Sequence, residues 1–199
     1  MSFFHIDIQL LVKTLGYAGL LAVVFAESGL FFGFFLPGDS LLFTAGILAS
    51  AGIFNVFELF ILLSLGAILG DSVGFWFGKK VGPKIFSRED SVFFHKRHVE
   101  QTEKFYDKYG PRTVILARFV PIVRTFAPIL AGVGKMKYEK FLTYNIIGGV
   151  LWSFVLVYAG YILGSLLPNA ENYITLLVIV IIILSFLPII GEFSKKRLR

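Results

Sequence analysis

Long apolar runs separated by short polar interruptions make up most of the chain, and none of the runs alternates with a period of two. Residues 15–36 are apolar apart from Glu27, Pro37-Gly38-Asp39 follows, and a second apolar run reaches position 51. A proline, a glycine and an acid together break a helix, so this stretch predicts a helix, a bend and a second helix. After a connector at 52–55, residues 56–78 form a spanning-length run that carries Asp71 within Gly70-Asp71-Ser72-Val73-Gly74 and ends at Lys79 and Lys80. Residues 113–134 repeat the interrupted pattern, with Arg118, Pro121, Arg124 and Pro128 set among apolar neighbours. Residues 141–165 and 173–190 predict two further spans, joined by a turn at 168–172.

Composition turns these runs into membrane elements. Of 199 residues, 56% are apolar and 17% aromatic, and the mean hydropathy is +0.79, well above a typical soluble domain. Helices of this length cross a hydrocarbon core about 30 Å thick, whereas a membrane barrel would need alternating strands. The expected fold class is all-α: a polytopic helical membrane protein forming one membrane domain over residues 1–199. Residues 1–13 place their apolar positions before Lys13, with no small-residue cleavage site soon after, so they read as a retained segment lying at the interface. The chain has no cysteine, which excludes disulfides and thiolate metal sites.

Charge orients the spans. The net charge of +6 concentrates in three basic patches: residues 79–112, with nine Lys or Arg against five Asp or Glu; Lys135, Lys137 and Lys140; and the tail at 191–199. Such patches read as cytoplasmic orientation signals and anionic-lipid contacts, not as a nucleic-acid surface. If all three are cytoplasmic, residues 113–134 begin and end on one side and must form a re-entrant hairpin, bent near Pro121 or Pro128. The same parity makes 15–51 a second hairpin entered from the opposite face. The chain then divides into a repeat over 15–78, a cytoplasmic basic loop over 79–112, an inverted repeat over 113–165, a C-terminal span over 173–190 and a cytoplasmic tail. A faint internal match supports the repeat, since Glu27 lies ten residues before Pro37 as Arg118 does before Pro128, and Gly70 and Gly74 are followed ninety positions later by Gly160 and Gly164. Inverted repeats with broken helices place a transporter's substrate site where the breaks meet. Residues 15–36 are also long enough to span alone, which would put the N-terminus in the cytoplasm.

The candidate chemistry follows from the solvent. Each arginine facing lipid would cost roughly 2.5 to 3.5 kcal/mol, so Arg118 and Arg124 must face a polar or anionic interior. Their planar forks suit a phosphate, which points to an anionic lipid or lipid-linked phosphate as ligand; the plainer alternative is that they pair with Glu27 or Asp39 and hold the hairpins together. Glu27 and Asp39 are carboxylates whose protonation burial favours and a nearby arginine opposes, the balance a proton-coupled switch uses. Asp39 also suits the start of the helix after Pro37 and Gly38. Asp71 reads as a supporting acid hydrogen-bonded within a close-packed glycine seam. His95 and His98 lie among lysines and arginines and read as solvated loop, with no metal and no cofactor expected. All three histidines fall outside the apolar runs, and no Gly-x-Ser-x-Gly or His-Glu-x-x-His pattern occurs, so an enzyme is not expected.

Glu27, Pro37-Gly38-Asp39, Gly70-Asp71 with Gly74 and Gly78, and the run from Arg118-Phe119-Val120-Pro121 through Arg124-Thr125-Phe126-Ala127-Pro128 to Ala131-Gly132 resemble the DedA family, bacterial relatives of eukaryotic VTT-domain lipid scramblases. The resemblance covers roughly residues 15–164. It implies two re-entrant hairpins facing each other in a multi-pass protein of the bacterial cytoplasmic membrane. It also implies a proton-gradient-dependent translocase that returns undecaprenyl phosphate, or another phospholipid such as phosphatidylethanolamine, across that membrane. The acids and arginines required in relatives match Glu27, Asp39, Arg118 and Arg124, while Ala117 stands where many relatives carry glycine. A proton-coupled small-cation antiporter and a membrane-assembly factor are the other functions considered, and the oligomeric state is not legible.

Overall fold

The computed structural model describes residues 8–30, 38–85, 106 and 110–167, and these are helical with no strand among them. Pro37, most of the basic loop, the span expected over 173–190 and the basic tail lie outside the described residues. The helices are α1 (Ile8–Gly29), α2 (Gly38–Ser50), α3 (Val56–Ile85), α4 (Arg112–Ala117), α5 (Pro121–Val133) and α6 (Tyr138–Leu166). Two stretches, Val56–Val81 and Tyr138–Leu166, are long and apolar enough to cross a membrane. At 1.5 Å per residue the first is roughly 39 Å long, more than a hydrocarbon core requires.

The boundaries follow local chemistry. Gly16 has φ 57 and ψ −165, which kinks α1 and separates residues 8–15 from the rest. Only a residue without a Cβ takes that conformation cheaply. Asn55 starts α3, its Oδ1 accepting the Phe57 N–H at 3.0 Å and the Glu58 N–H at 3.2 Å. The α3 helix continues past Lys79 and Lys80 to Ile85, beyond the end of its apolar run. Of the two prolines expected to bend 113–134, Pro121 marks the break: Val120 before it is extended (φ −119, ψ 107), and Pro121 opens α5. A proline pushes its predecessor out of the helical region but is well suited to a first turn. Pro128 lies inside α5, where it removes one backbone donor without ending the helix.

Burial separates two kinds of helix. On α3, Phe57, Ile61, Leu65, Leu69, Val73 and Phe77 recur every fourth residue and are all exposed. A stripe of this kind along a spanning-length helix is suited to contact with lipid. By contrast, α2 buries nearly every residue from Gly38 to Ala49, as expected of a helix that is apolar all round.

The chain divides into two compact units, one drawn from residues 1–23, 37–64 and 152–199 and the other from 24–36 and 65–151. In the first, α2 packs on the C-terminal half of α6. A Cβ on Gly46 would overlap the Val157 carbonyl, and one on Gly160 would overlap the Phe43 carbonyl. In the second, α5 packs on the C-terminal half of α3 by the same device, with Gly132 against the Phe75 carbonyl and Gly78 against the Ile129 carbonyl. Each carbonyl belongs to the residue three before the partner glycine. The glycines of α3 and α6 that correspond in this packing are Gly78 and Gly160, 82 apart, not the ninety that the Gly70 and Gly74 match suggests.

Candidate functional site

The second unit gathers the charges. Its core is Phe75, Val114, Ala131 and Phe141 with Tyr106, and the Phe75 and Phe141 rings stack at 4.6 Å. Tyr106 donates its hydroxyl to the Ala127 carbonyl at 2.9 Å, tying the chain before α4 to α5. Against this core, α1 and α3 meet at glycines: a Cβ on Gly70 would lie 2.6 Å from the Phe25 carbonyl, and one on Gly29 would lie 2.7 Å from the Gly70 carbonyl. This close approach carries Glu27, on the last turns of α1, into the interior, where it is 1% exposed.

The break between α4 and α5 places the arginines. The last turn of α4 closes with tight bonds from the Arg118, Phe119 and Val120 N–H groups to the carbonyls of Ile115, Leu116 and Ala117. The Arg124 N–H then bonds the Val120 carbonyl at 2.9 Å to begin α5. Arg118 thus stands just before the break and Arg124 one turn after it, and both are buried. Six apart on an unbroken helix they would point about 120° away from each other.

Each arginine meets a carboxylate. Arg124 donates from Nη2 to Glu27 Oε1. Arg118 donates from Nη2 to Asp71 Oδ2 at 2.5 Å, to Asn145 Oδ1 at 2.5 Å and to the Ala67 carbonyl at 3.4 Å. Asn145 is held in turn by its Nδ2, which donates to the Ile68 carbonyl at 3.0 Å. The two pairs are within Coulombic reach, Arg124 acting on both Arg118 and Asp71. Gly148 of α6 makes room for the Arg118 side chain, since a Cβ there would lie 3.0 Å from its Cδ, while a Cβ on Gly149 would press on Ile68 at 2.9 Å. The buried Nε–H of Arg118 has no acceptor among the described residues.

Glu27, Asp71, Arg118 and Arg124 come together in the second unit, with Pro121 opening the helix that carries Arg124 and Pro128 packed near Gly74. Asp39 belongs to the first unit, one residue after Gly38 in the first turn of α2, and accepts the Trp152 Nε1–H at 3.0 Å. An acid there complements the partial positive charge of the helix start. Asp71, read from sequence as a seam-forming support, is a full ion-pair partner. Asn145 and Trp152 were missed; the available signal was an asparagine three residues before a Gly-Gly pair within an apolar run. Among the described residues no group of three or more potential metal ligands occurs.

The VTT domain matches residues 36–162, which takes in most of the second unit and the α2 and α6 segments that pack together in the first. This chain belongs to the DedA family. Protein DedA of Escherichia coli K12 is 44% identical over 200 residues, covering 97% of this chain and 91% of the relative. An uncharacterized membrane protein of Mycobacterium tuberculosis H37Rv is 45% identical over 172 residues, covering 85% and 75% respectively. The inner membrane protein YqjA of Escherichia coli K12 is 30% identical over 149 residues, covering 75% and 68%. No solved structure matches this DedA-family chain. Membership places α3, with its exposed apolar stripe, and the arginine–acid pairs in a membrane protein.

Proposed function

We propose that this DedA-family protein is a translocase for a lipid-linked phosphate, undecaprenyl phosphate, in the bacterial cytoplasmic membrane. Arg118 and Arg124 grip the phosphate, and the carboxylates take up protons to balance it. The observation that carries this reading is the pairing of two buried arginines with two buried acids, with the Arg118 Nε–H left without an acceptor among the described residues. Two positive and two negative charges cancel at rest. An anion entering such a site adds charge that a low-dielectric interior does not tolerate uncompensated, so its entry is favoured when a carboxylate is neutralised. Arginine suits this ligand because its donors match phosphate oxygens in pairs. Glu27 is the acid that Arg124 would release. The two interrupted segments are re-entrant on this reading, and the C-terminus is cytoplasmic.

The test is flip-flop in reconstituted vesicles. Labelled undecaprenyl phosphate, phosphatidylethanolamine and a small cation are each followed with and without an imposed pH gradient. Faster movement of undecaprenyl phosphate that depends on the gradient is the expected result. Movement of phosphatidylethanolamine alone would transfer the role to that lipid, gradient-driven cation exchange would make the protein an antiporter, and no movement of any of them would favour an assembly role. Topology is checked separately: cysteines near Lys96, Lys137 or Lys196 should resist an impermeant thiol reagent in intact cells, while one at Asn169 should react. Labelling at Lys137 would make residues 113–134 a true crossing and remove the inverted arrangement.

A further inference from the structure

We infer that Asp71 and Asn145 form a gate on Arg118: the acid blocks the paired-donor grip of the guanidinium until it is protonated, and Asn145 is the positioning residue that holds the guanidinium afterwards. This rests on the lipid-phosphate reading above and assigns it a proton-responsive group and a neutral holder.

The argument begins with the shape of a guanidinium. Two of its edges offer paired N–H donors, Nε with Nη2 and Nη1 with Nη2, while Cδ blocks the third, so every two-donor grip uses Nη2. In Arg118 that atom is the occupied one: Asp71 and Asn145 each hold it at 2.5 Å, and the Ala67 carbonyl lies at 3.4 Å. Nη2 has two hydrogens, and the acid and the amide together use both. The Nε–H remains available as a single donor. A phosphate arriving at this arrangement finds isolated donors instead of a fork, and a fork forms only when one short acceptor leaves Nη2.

The two acceptors differ in how they can leave. Asn145 is fully buried and pinned by its Nδ2 bond to the Ile68 carbonyl at 3.0 Å, which keeps Oδ1 turned to Arg118. An amide also has no proton to gain. Asp71 can accept a proton, and a neutral carboxyl loses most of its hold on a guanidinium. The charged groups around it are Arg118 and Arg124, with Glu27 bonded to Arg124 and acting on Arg118 as well. A proton on Asp71 leaves the cluster with one net positive charge, which is the state that accepts an anion. Asn145 keeps the guanidinium in place when Asp71 lets go, while Gly148 preserves the space beside the Arg118 Cδ and Nε.

The experiment measures binding of dodecyl phosphate to the purified full chain in lipid nanodiscs across a pH series. It compares the wild type with Arg118→Gln, Asp71→Asn, Asn145→Ala and Asn145→Asp, and thermal unfolding is recorded on the same samples. The wild type should bind more tightly as pH falls, with a slope of about one proton. The probe's own second ionisation is common to all variants, so differences between them report the protein. Asp71→Asn should flatten the slope and bring the alkaline affinity up to the acidic value. Asn145→Ala should weaken binding at acidic pH, where the guanidinium loses its holder, and lessen the slope, because one Nη2 hydrogen is then free of its acceptor at every pH. Asn145→Asp places a second titrating acceptor on Nη2, so the slope should steepen to about two protons, which a merely structural amide would not produce. An unchanged slope in Asp71→Asn overturns the gate; should Asn145→Asp fail to fold, this arm still decides. If the wild type binds and Arg118→Gln does not, yet both acid and amide variants keep the wild-type slope, the gate falls and the phosphate reading stands. Absence of binding by the wild type at every pH removes both.

Discussion

The two units share one packing device and differ in what they place beside it. In the first, Gly46 and Gly160 let α2 and α6 approach until each backbone meets the other's carbonyl, and in the second Gly132 and Gly78 do the same for α5 and α3. Near that seam the first unit holds Asp39 with the Trp152 indole, and its buried hydroxyls of Thr44 and Ser153 lack partners among the described residues. The second holds two ion pairs, an asparagine on Arg118 and an Arg118 Nε–H without an acceptor among the described residues. An unsatisfied hydroxyl costs little beside an unsatisfied charged donor. The backbone device is thus general to both units, and the chemistry is concentrated in one of them.

The largest expected effect breaks this asymmetry. Arg124→Gln strands the Glu27 carboxylate in the interior and should destabilise the protein by about 3 to 5 kcal/mol, measured by unfolding in mixed detergent micelles. Adding Glu27→Gln should recover most of that loss without restoring transport. If the double variant stays as unstable as the single one, the pair is not what holds α1 to α5.

The glycine device predicts equality. Gly46→Ala in the first unit and Gly132→Ala in the second each push a methyl into a carbonyl and should cost about 1 to 3 kcal/mol. Comparable losses support a shared device, whereas a loss confined to one unit would show that the other seam yields easily. Both variants leave every ion-pair residue in place.

Smaller effects sharpen the contrast. Trp152→Phe removes the donor to Asp39 and should cost about 1 kcal/mol, with the second unit's phosphate affinity unchanged. A matching loss of affinity would tie the two chemistries together. Tyr106→Phe should cost about 0.5 to 1.5 kcal/mol, because it removes one buried hydrogen bond to α5 without a charge. Proteolysis near residue 110 checks it, with faster cleavage expected in the variant.

Much of this arrangement is written locally. Apolar runs of spanning length dictate helices, since a backbone in lipid must satisfy its own hydrogen bonds. Pro121 dictates the break after Arg118 through its steric effect on Val120, and the expense of a charge in hydrocarbon already requires buried partners for Arg118 and Arg124. Which partner each arginine takes was decided only in three dimensions. Glu27 and Arg124 are 97 positions apart and Asp71 and Arg118 are 47 apart, and helix periodicity carries no information across such separations. The same holds for Trp152 on Asp39, 113 positions away, and for Asn145, whose place on Arg118 depends on α3 and α6 meeting the α4–α5 break at one point. The glycine correspondence at 82 residues is likewise a fact of packing, because a glycine's role is set by which carbonyl lies against it, and the spacing of glycines along the chain does not record that.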